Sequence, residues 1–238
     1  MNDLFGNNIW PLAFCTVFLG GFVQASLGFG LAIVVSPLLY MLAPDLVPGA
    51  VLVNAVLLSL ANLLRFRTGF EFRSIALALL ARIPGSIIGA WMLLVLTQRF
   101  LEVFIGVTVL LAVAVSLLKV RISISRTSLV IAGLLSGVFG TSAGIGGPPI
   151  ALLFQHQQAN AMRANMSLYF VFSCFISLSV LLCSGAAQAS ALWEGLSLSP
   201  ALLLGFGLAG WTNHYLKAHW IRRCVLILCC AASVTLIL

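Results

Sequence analysis

The stretch Gly140-Thr141-Ser142-Ala143-Gly144-Ile145-Gly146-Gly147-Pro148-Pro149 decides how this chain folds. It lies inside an uncharged run, Thr127–Phe154, and glycine and proline at that density end a helix. An earlier uncharged run, Ile9–Pro44, is interrupted in the same way, by Gly28-Phe29-Gly30 and then Ser36-Pro37. As one helix that earlier run would be about 54 Å long, nearly twice the hydrocarbon thickness of a bilayer. Each run therefore reads as two helical arms joined by a break.

Outward from the breaks the sequence is a series of ordinary apolar runs: Leu46–Leu64, Ser74–Leu96 (interrupted only by Arg82), Val103–Leu118, Met166–Cys183, Leu198–Thr212 and Cys224–Leu238. The 238 residues are 62% hydrophobic and 7% charged, against about 25% charged in a soluble domain. With a mean hydropathy of +1.17 the apolar surface has to face lipid. The formal net charge of +7 comes from basic residues set between apolar runs, the membrane-loop pattern. No basic stripe with interleaved aromatics exists, which excludes nucleic acid as a partner. Met1–Gly6 carries Asp3 and no basic residue, so no cleavable signal peptide is expected. The six cysteines, Cys15, Cys174, Cys183, Cys224, Cys229 and Cys230, lie in or beside apolar runs without metal-ligand spacing and read as small packing residues.

The two broken runs align with each other. At a shift of 112, Gly21, Gly28, Ile33 and Pro37 fall on Gly133, Gly140, Ile145 and Pro149. At a shift of 120, Gly85, Gly89, Ala90 and Trp91 fall on Gly205, Ala209, Gly210 and Trp211. The chain is therefore expected to be one all-α membrane bundle, residues 1–238, built from two related halves, about 9–118 and about 127–238. If each broken run crossed once, the basic loops would divide evenly between the two sides. If each is a re-entrant hairpin followed by three crossings, Arg65, Arg67, Arg73, Lys119, Arg121, Arg126, Arg163, Lys217, Arg222 and Arg223 share one side. Only Arg99 then lies opposite, with Asp3, Asp45, Glu102 and Glu194. That bias selects the re-entrant reading, with both termini extracytoplasmic. Three crossings per half also make the halves inverted, and a broken run that crosses on one arm and returns on the other gives the same loop sides.

Two hairpins entering from opposite faces bring their breaks together, where irregular backbone is tolerated only in protein or along a cavity. The arms after the breaks are expected to start at Ser36-Pro37 and Pro148-Pro149, since serine caps and proline opens helices. Such helix starts offer free N–H groups and partial positive charge to an anion. The expected site is thus Gly28, Gly30, Ser36 and Pro37 on one side, and Gly140, Thr141, Ser142, Gly144, Gly146, Gly147 and Pro148 on the other. Arg82, the one charge well inside an apolar run, joins it or snorkels to the interface. Gln24, Asn54 and Asn165 are weaker candidates, as are Asn62, Ser167 and Tyr169, because hydrogen bonds between helices explain them equally well. Trp10, Trp91, Trp193, Trp211 and Trp220 read as interface anchors. No Asp or Glu falls inside an apolar run, and His156, His214 and His219 fall in loops. No catalytic residue, cofactor or metal is expected, and an enzyme ranks last. A coupling ion would have to use backbone carbonyls or travel with the substrate.

The pattern from Gly133-Leu134-Leu135-Ser136-Gly137-Val138-Phe139-Gly140 through Gly146-Gly147-Pro148 resembles the sulfite exporter family of the TauE/SafE type. A looser first copy runs from Gly20-Gly21-Phe22 through Gly28-Phe29-Gly30 and Pro37, with Leu31-Ala32 where that family has consecutive glycines. Gly85-Ser86-Ile87-Ile88-Gly89-Ala90 is similar to the family's third-span pattern. The resemblance implies an inner-membrane permease for sulfite, sulfonates or related organic anions. The expected function is export or exchange of such an anion by alternating access. A non-catalytic membrane subunit and an anion channel are the alternatives.

Overall fold

The computed structural model describes residues 9–27, 30–65, 72–117, 122–155, 157–212 and 218–238. Every regular element among them is helical. Helix α1 spans Ile9–Leu27 and α2 spans Leu31–Leu42. A single 3-10 turn, Pro44–Leu46, leads to α3 at Gly49–Arg65, α4 at Phe72–Val95 and α5 at Gln98–Leu117. The chain continues with α6 at Arg126–Ala143, α7 at Gly147–Phe154, α8 at Ala159–Ser184, α9 at Ala189–Ser197, α10 at Ser199–Thr212 and α11 at Ala218–Ile237.

Among the described residues, six stretches are long and apolar enough to cross a membrane: α1, most of α4, α5, most of α8, α9 with α10, and α11. The sequence expectation counted α3 among the crossings and not α1. At 19 residues α1 is about 28 Å long and can cross by itself, whereas α2, with 12 residues, is about 18 Å. In the second half α6 has 18 residues and α7 only 8. Each broken run is therefore a long arm followed by a short one. Glu194 lies inside the stretch formed by α9 and α10, which begins at Ala189 and not at Leu198. The expectation that no carboxylate falls within a crossing is corrected at that residue.

Glycine faces bring helices from different halves into backbone contact. Helix α4 packs on α6, and α10 packs on α1. A Cβ on Gly89 would lie 2.7 Å from Val138 O, and one on Gly21 would lie 2.5 Å from Leu202 O. In lipid, where apolar surface gains nothing by leaving the solvent, such close backbone approach supplies the packing energy. Helices α3 and α8 pack on each other, as do α5 and α11. The α5–α11 pair is antiparallel and fastened at both ends. Arg99 donates to Leu236 O at 3.2 Å and to Ile237 O at 2.7 Å, and it pairs with Glu102 at 3.3 Å. At the other end Arg222 donates to Ser116 O.

Candidate functional site

Both breaks are shorter than the sequence suggests. Helix α6 runs through Gly140, Thr141 and Ser142 and stops at Ala143. Gly144 follows with φ +75°. Its N–H donates to Gly140 O, and that of Ile145 reaches back to Phe139 O. This is an αL stop, in which the N–H of a left-handed glycine takes the carbonyl four residues back. Helix α7 starts at Gly147, so Pro148 and Pro149 fall in its first turn, as expected. Two of its first three residues consequently have no N–H to offer an anion.

The first break is built differently. Gly28 lies outside the described residues. Gly30, at φ +123°, stands immediately before α2, which begins at Leu31. The expected start at Ser36-Pro37 is therefore corrected: Pro37 sits inside α2, and both residues are buried there. A helix tolerates this proline because Ile33 O, deprived of its helical donor, receives the Cys229 thiol at 3.5 Å. The Gln24 side chain accepts from the Leu31 N–H at 2.9 Å, so a neutral amide already occupies this helix start.

The two breaks wall one cavity of about 850 Å³. Gln24 and Gly30 line it from the first break, and Gly140, Gly144, Gly146, Gly147 and Pro148 from the second. Its apolar wall includes Leu31, Leu52, Leu58, Ile145 and Phe170. Toward the start of α11 the lining turns basic, with His219, Arg222 and Arg223. His219 belongs to that helix and not to a loop; His156 and His214 lie outside the described residues.

Arg82 does not snorkel. It is 1% exposed and lies on the cavity wall against the second break. Nη1 donates to both Ser136 O and Ser136 Oγ at 2.6 Å, Nη2 to Ser177 Oγ at 2.8 Å, and Nε to Ser173 O at 3.2 Å. Ser136 Oγ in turn donates to Gly146 O at 2.5 Å and accepts from the Tyr169 hydroxyl at 3.0 Å. The guanidinium carbon lies 5.9 Å from the centre of the Tyr169 ring. A Cβ on Gly140 would collide with Nη2, and one on Gly146 would stand 2.8 Å from Nη1. The glycines of the second break thus make room for a cation. Every partner of that cation is a neutral oxygen or a ring, and the only ion pair among the described residues is the distant Arg99–Glu102.

The other expected residues divide between wall and scaffold. Thr141 shares a hydrogen bond with Ser177 at 2.8 Å, and Ser142 donates to its own Val138 O at 2.6 Å. Asn54 donates to Ala50 O and Gly195 O, both at 2.9 Å, and Asn165 donates to Gln157 Oε1 at 2.8 Å. Asn62 and Ser167 are buried. None of these six lines the cavity. Ser136, Ser173 and Ser177, which hold Arg82, were not singled out from the sequence. The signal was present: Ser173 and Ser177 are four apart on one helix face, and Ser136 is one turn before Gly140.

Residues 13–236 match the family described as Sulfite exporter TauE/SafE. No curated protein and no solved structure matches the chain.

Proposed function

The chain belongs to the sulfite exporter TauE/SafE family, a family of membrane transporters of sulfite-like anions, and on that premise we propose that Arg82 is the anchor of the carried anion. The observation that carries this reading is a buried guanidinium with no counter-charge among the described residues, at the wall of a cavity bounded by both breaks. A buried charge is stable only with a partner, and neutral oxygens compensate it in part. An anion in the cavity completes the pair. The cavity is far larger than sulfite requires and its walls are mostly apolar, which favours an organic sulfonate over the bare ion.

The protein sits in the inner membrane with both termini extracytoplasmic, the orientation that the loop charges support. In that orientation the basic end of the cavity opens to the cytoplasm, where His219, Arg222 and Arg223 draw anions in. The halves, about 9–118 and about 127–238, act as inverted repeats. The pairing of α4 with α6 and of α1 with α10 supports this, because each half's long arm lies on a crossing of the other half, α4 or the stretch formed by α9 with α10. Export proceeds by alternating access as these two pairs rock around the breaks.

The test is efflux of radiolabelled sulfite and of short alkanesulfonates from proteoliposomes. Saturable efflux is expected from the wild type, a large loss in Arg82→Met, and partial activity in Arg82→Lys, which keeps the charge without the fork. Gly146→Leu and Pro148→Leu are expected to block transport. A folded Arg82→Met protein that transports at the wild-type rate, or a wild type that moves neither anion, overturns the reading.

A further inference from the structure

Among the described residues, Ser26 Oγ, Ser36 Oγ, Asn54 Oδ1 and Ser86 Oγ are buried side-chain oxygens without a hydrogen-bond partner. Ser36 Oγ, on α2, belongs to a residue 0% exposed, and Asn54 Oδ1, on α3, to a residue 1% exposed. A helical serine ordinarily turns its hydroxyl onto the carbonyl four residues back. Ser36 does not, and its oxygen lies 3.1 Å from the position a Cβ would take on Gly144. The amide of Asn54 is fixed in orientation, since Nδ2 gives its hydrogens to Ala50 O and Gly195 O. Reversed, it would set oxygen against two carbonyls, so Oδ1 must face elsewhere. Val51, one turn before Asn54 on α3, also touches Gly144. The two acceptors therefore belong to helices that meet at the end of α6.

That helix end adds acceptors of its own. The turn at Gly144 and Ile145 takes up Gly140 O and Phe139 O, and the next carbonyls, those of Thr141, Ser142 and Ala143, follow them at the negative end of the helix dipole. A hydroxyl, an amide oxygen and the last carbonyls of a helix are hard, neutral ligands. Without a carboxylate they suit a monovalent alkali cation and not a divalent one. We propose that a sodium ion binds at the end of α6, with Ser36 Oγ and Asn54 Oδ1 as its side-chain ligands. The site meets Gly144, whereas Arg82 meets Gly140 and Gly146, and it needs no anion to form. It gives the protein a cation to couple to through neutral ligands, as discontinuous helices do through their C-terminal carbonyls.

The experiment uses purified full-length protein in detergent, free of sulfite, so that it does not depend on the anion reading. Sodium chloride replaces choline chloride at constant ionic strength while the thermal midpoint and the binding of radioactive sodium are followed. The wild type is expected to show a saturable, sodium-specific rise in midpoint. Ser36→Ala is expected to weaken apparent sodium affinity at least tenfold, yet to be no less stable than wild type in choline, because it removes an unpartnered hydroxyl. Asn54→Asp is expected to strengthen binding by placing a charge on the ion, and Ser26→Ala to bind as wild type. Equal responses to sodium and choline, or Ser36→Ala binding sodium as tightly as the wild type, overturn the inference.

Discussion

The two breaks share a plan and differ in charge. In the first, a glycine at φ +123° opens α2, and the Gln24 side chain caps the exposed N–H of Leu31. In the second, α6 stops at Gly144, and Arg82 from α4 is clamped beside it by three serines. The shift of 120 that aligns Gly85 with Gly205 places Leu202 where the first half has Arg82. Leu202 is as buried as Arg82, but it packs among apolar residues beside the first broken run. The first broken run is thus flanked by an apolar residue where the second is flanked by a charge. Similar sequence spacing does not give similar chemistry, because the partner facing the break comes from the opposite half of the chain.

The largest effect is expected when the asymmetry is erased. Arg82→Leu makes the second break resemble the first, and sulfonate efflux from proteoliposomes should fall roughly 100-fold or more, the equivalent of about 3 kcal/mol. The reciprocal change, Leu202→Arg, buries a cation against an apolar core and should sharply lower the yield of folded protein in size-exclusion chromatography. Leu202→Arg protein that folds and restores efflux to Arg82→Leu would show the two breaks to be interchangeable, against the contrast drawn above.

The next effect concerns the glycines. Gly144→Ala forces an alanine to positive φ, at about 1–2 kcal/mol, and crowds Ser36 and Val51 as well. Gly30→Ala meets only Val23, but at an even less accessible φ. Both should lower the thermal midpoint, and only Gly144→Ala should also slow efflux, since Gly144 itself belongs to the charged break. Smaller still is the loss of single hydrogen bonds. Ser177→Ala removes one charge-assisted bond to Arg82 and should cost about 1.5–3 kcal/mol. Gln24→Leu uncaps α2 and should cost about 1 kcal/mol. Denaturation in mixed micelles checks both, and a larger cost for Gln24→Leu would reverse the ranking of the two breaks. The exposed Trp211 bounds the scale: Trp211→Ala should change detergent stability by less than about 0.5 kcal/mol.

Much of this architecture was legible before any coordinates. The apolar runs marked α3, α4, α5, α8, α10 and α11, with ends a few residues adrift, because a lipid-facing helix needs length and hydropathy and little else. The breaks were legible as Gly-Pro clusters. Their edges were not, since Gly140 through Ser142 stay helical where α4 packs against them, and Pro37 stays helical where the Cys229 thiol donates to the carbonyl it frees. Arg82 stood out as a lone charge. The serines that hold it did not, because serine is common in membrane helices and acquires meaning only from what it faces.

By itself, then, the sequence determined that the chain is a helical membrane protein, where its two helices break, and that a single arginine lies inside an apolar run. These are local properties, set by hydropathy, the missing N–H of proline and the cost of burying charge. Tertiary structure alone decided that both breaks wall one cavity, that Arg82 turns to the second of them, and that the first is capped by a neutral amide. Those outcomes depend on helices far apart in the chain touching through glycine, where a single Cβ would close the contact.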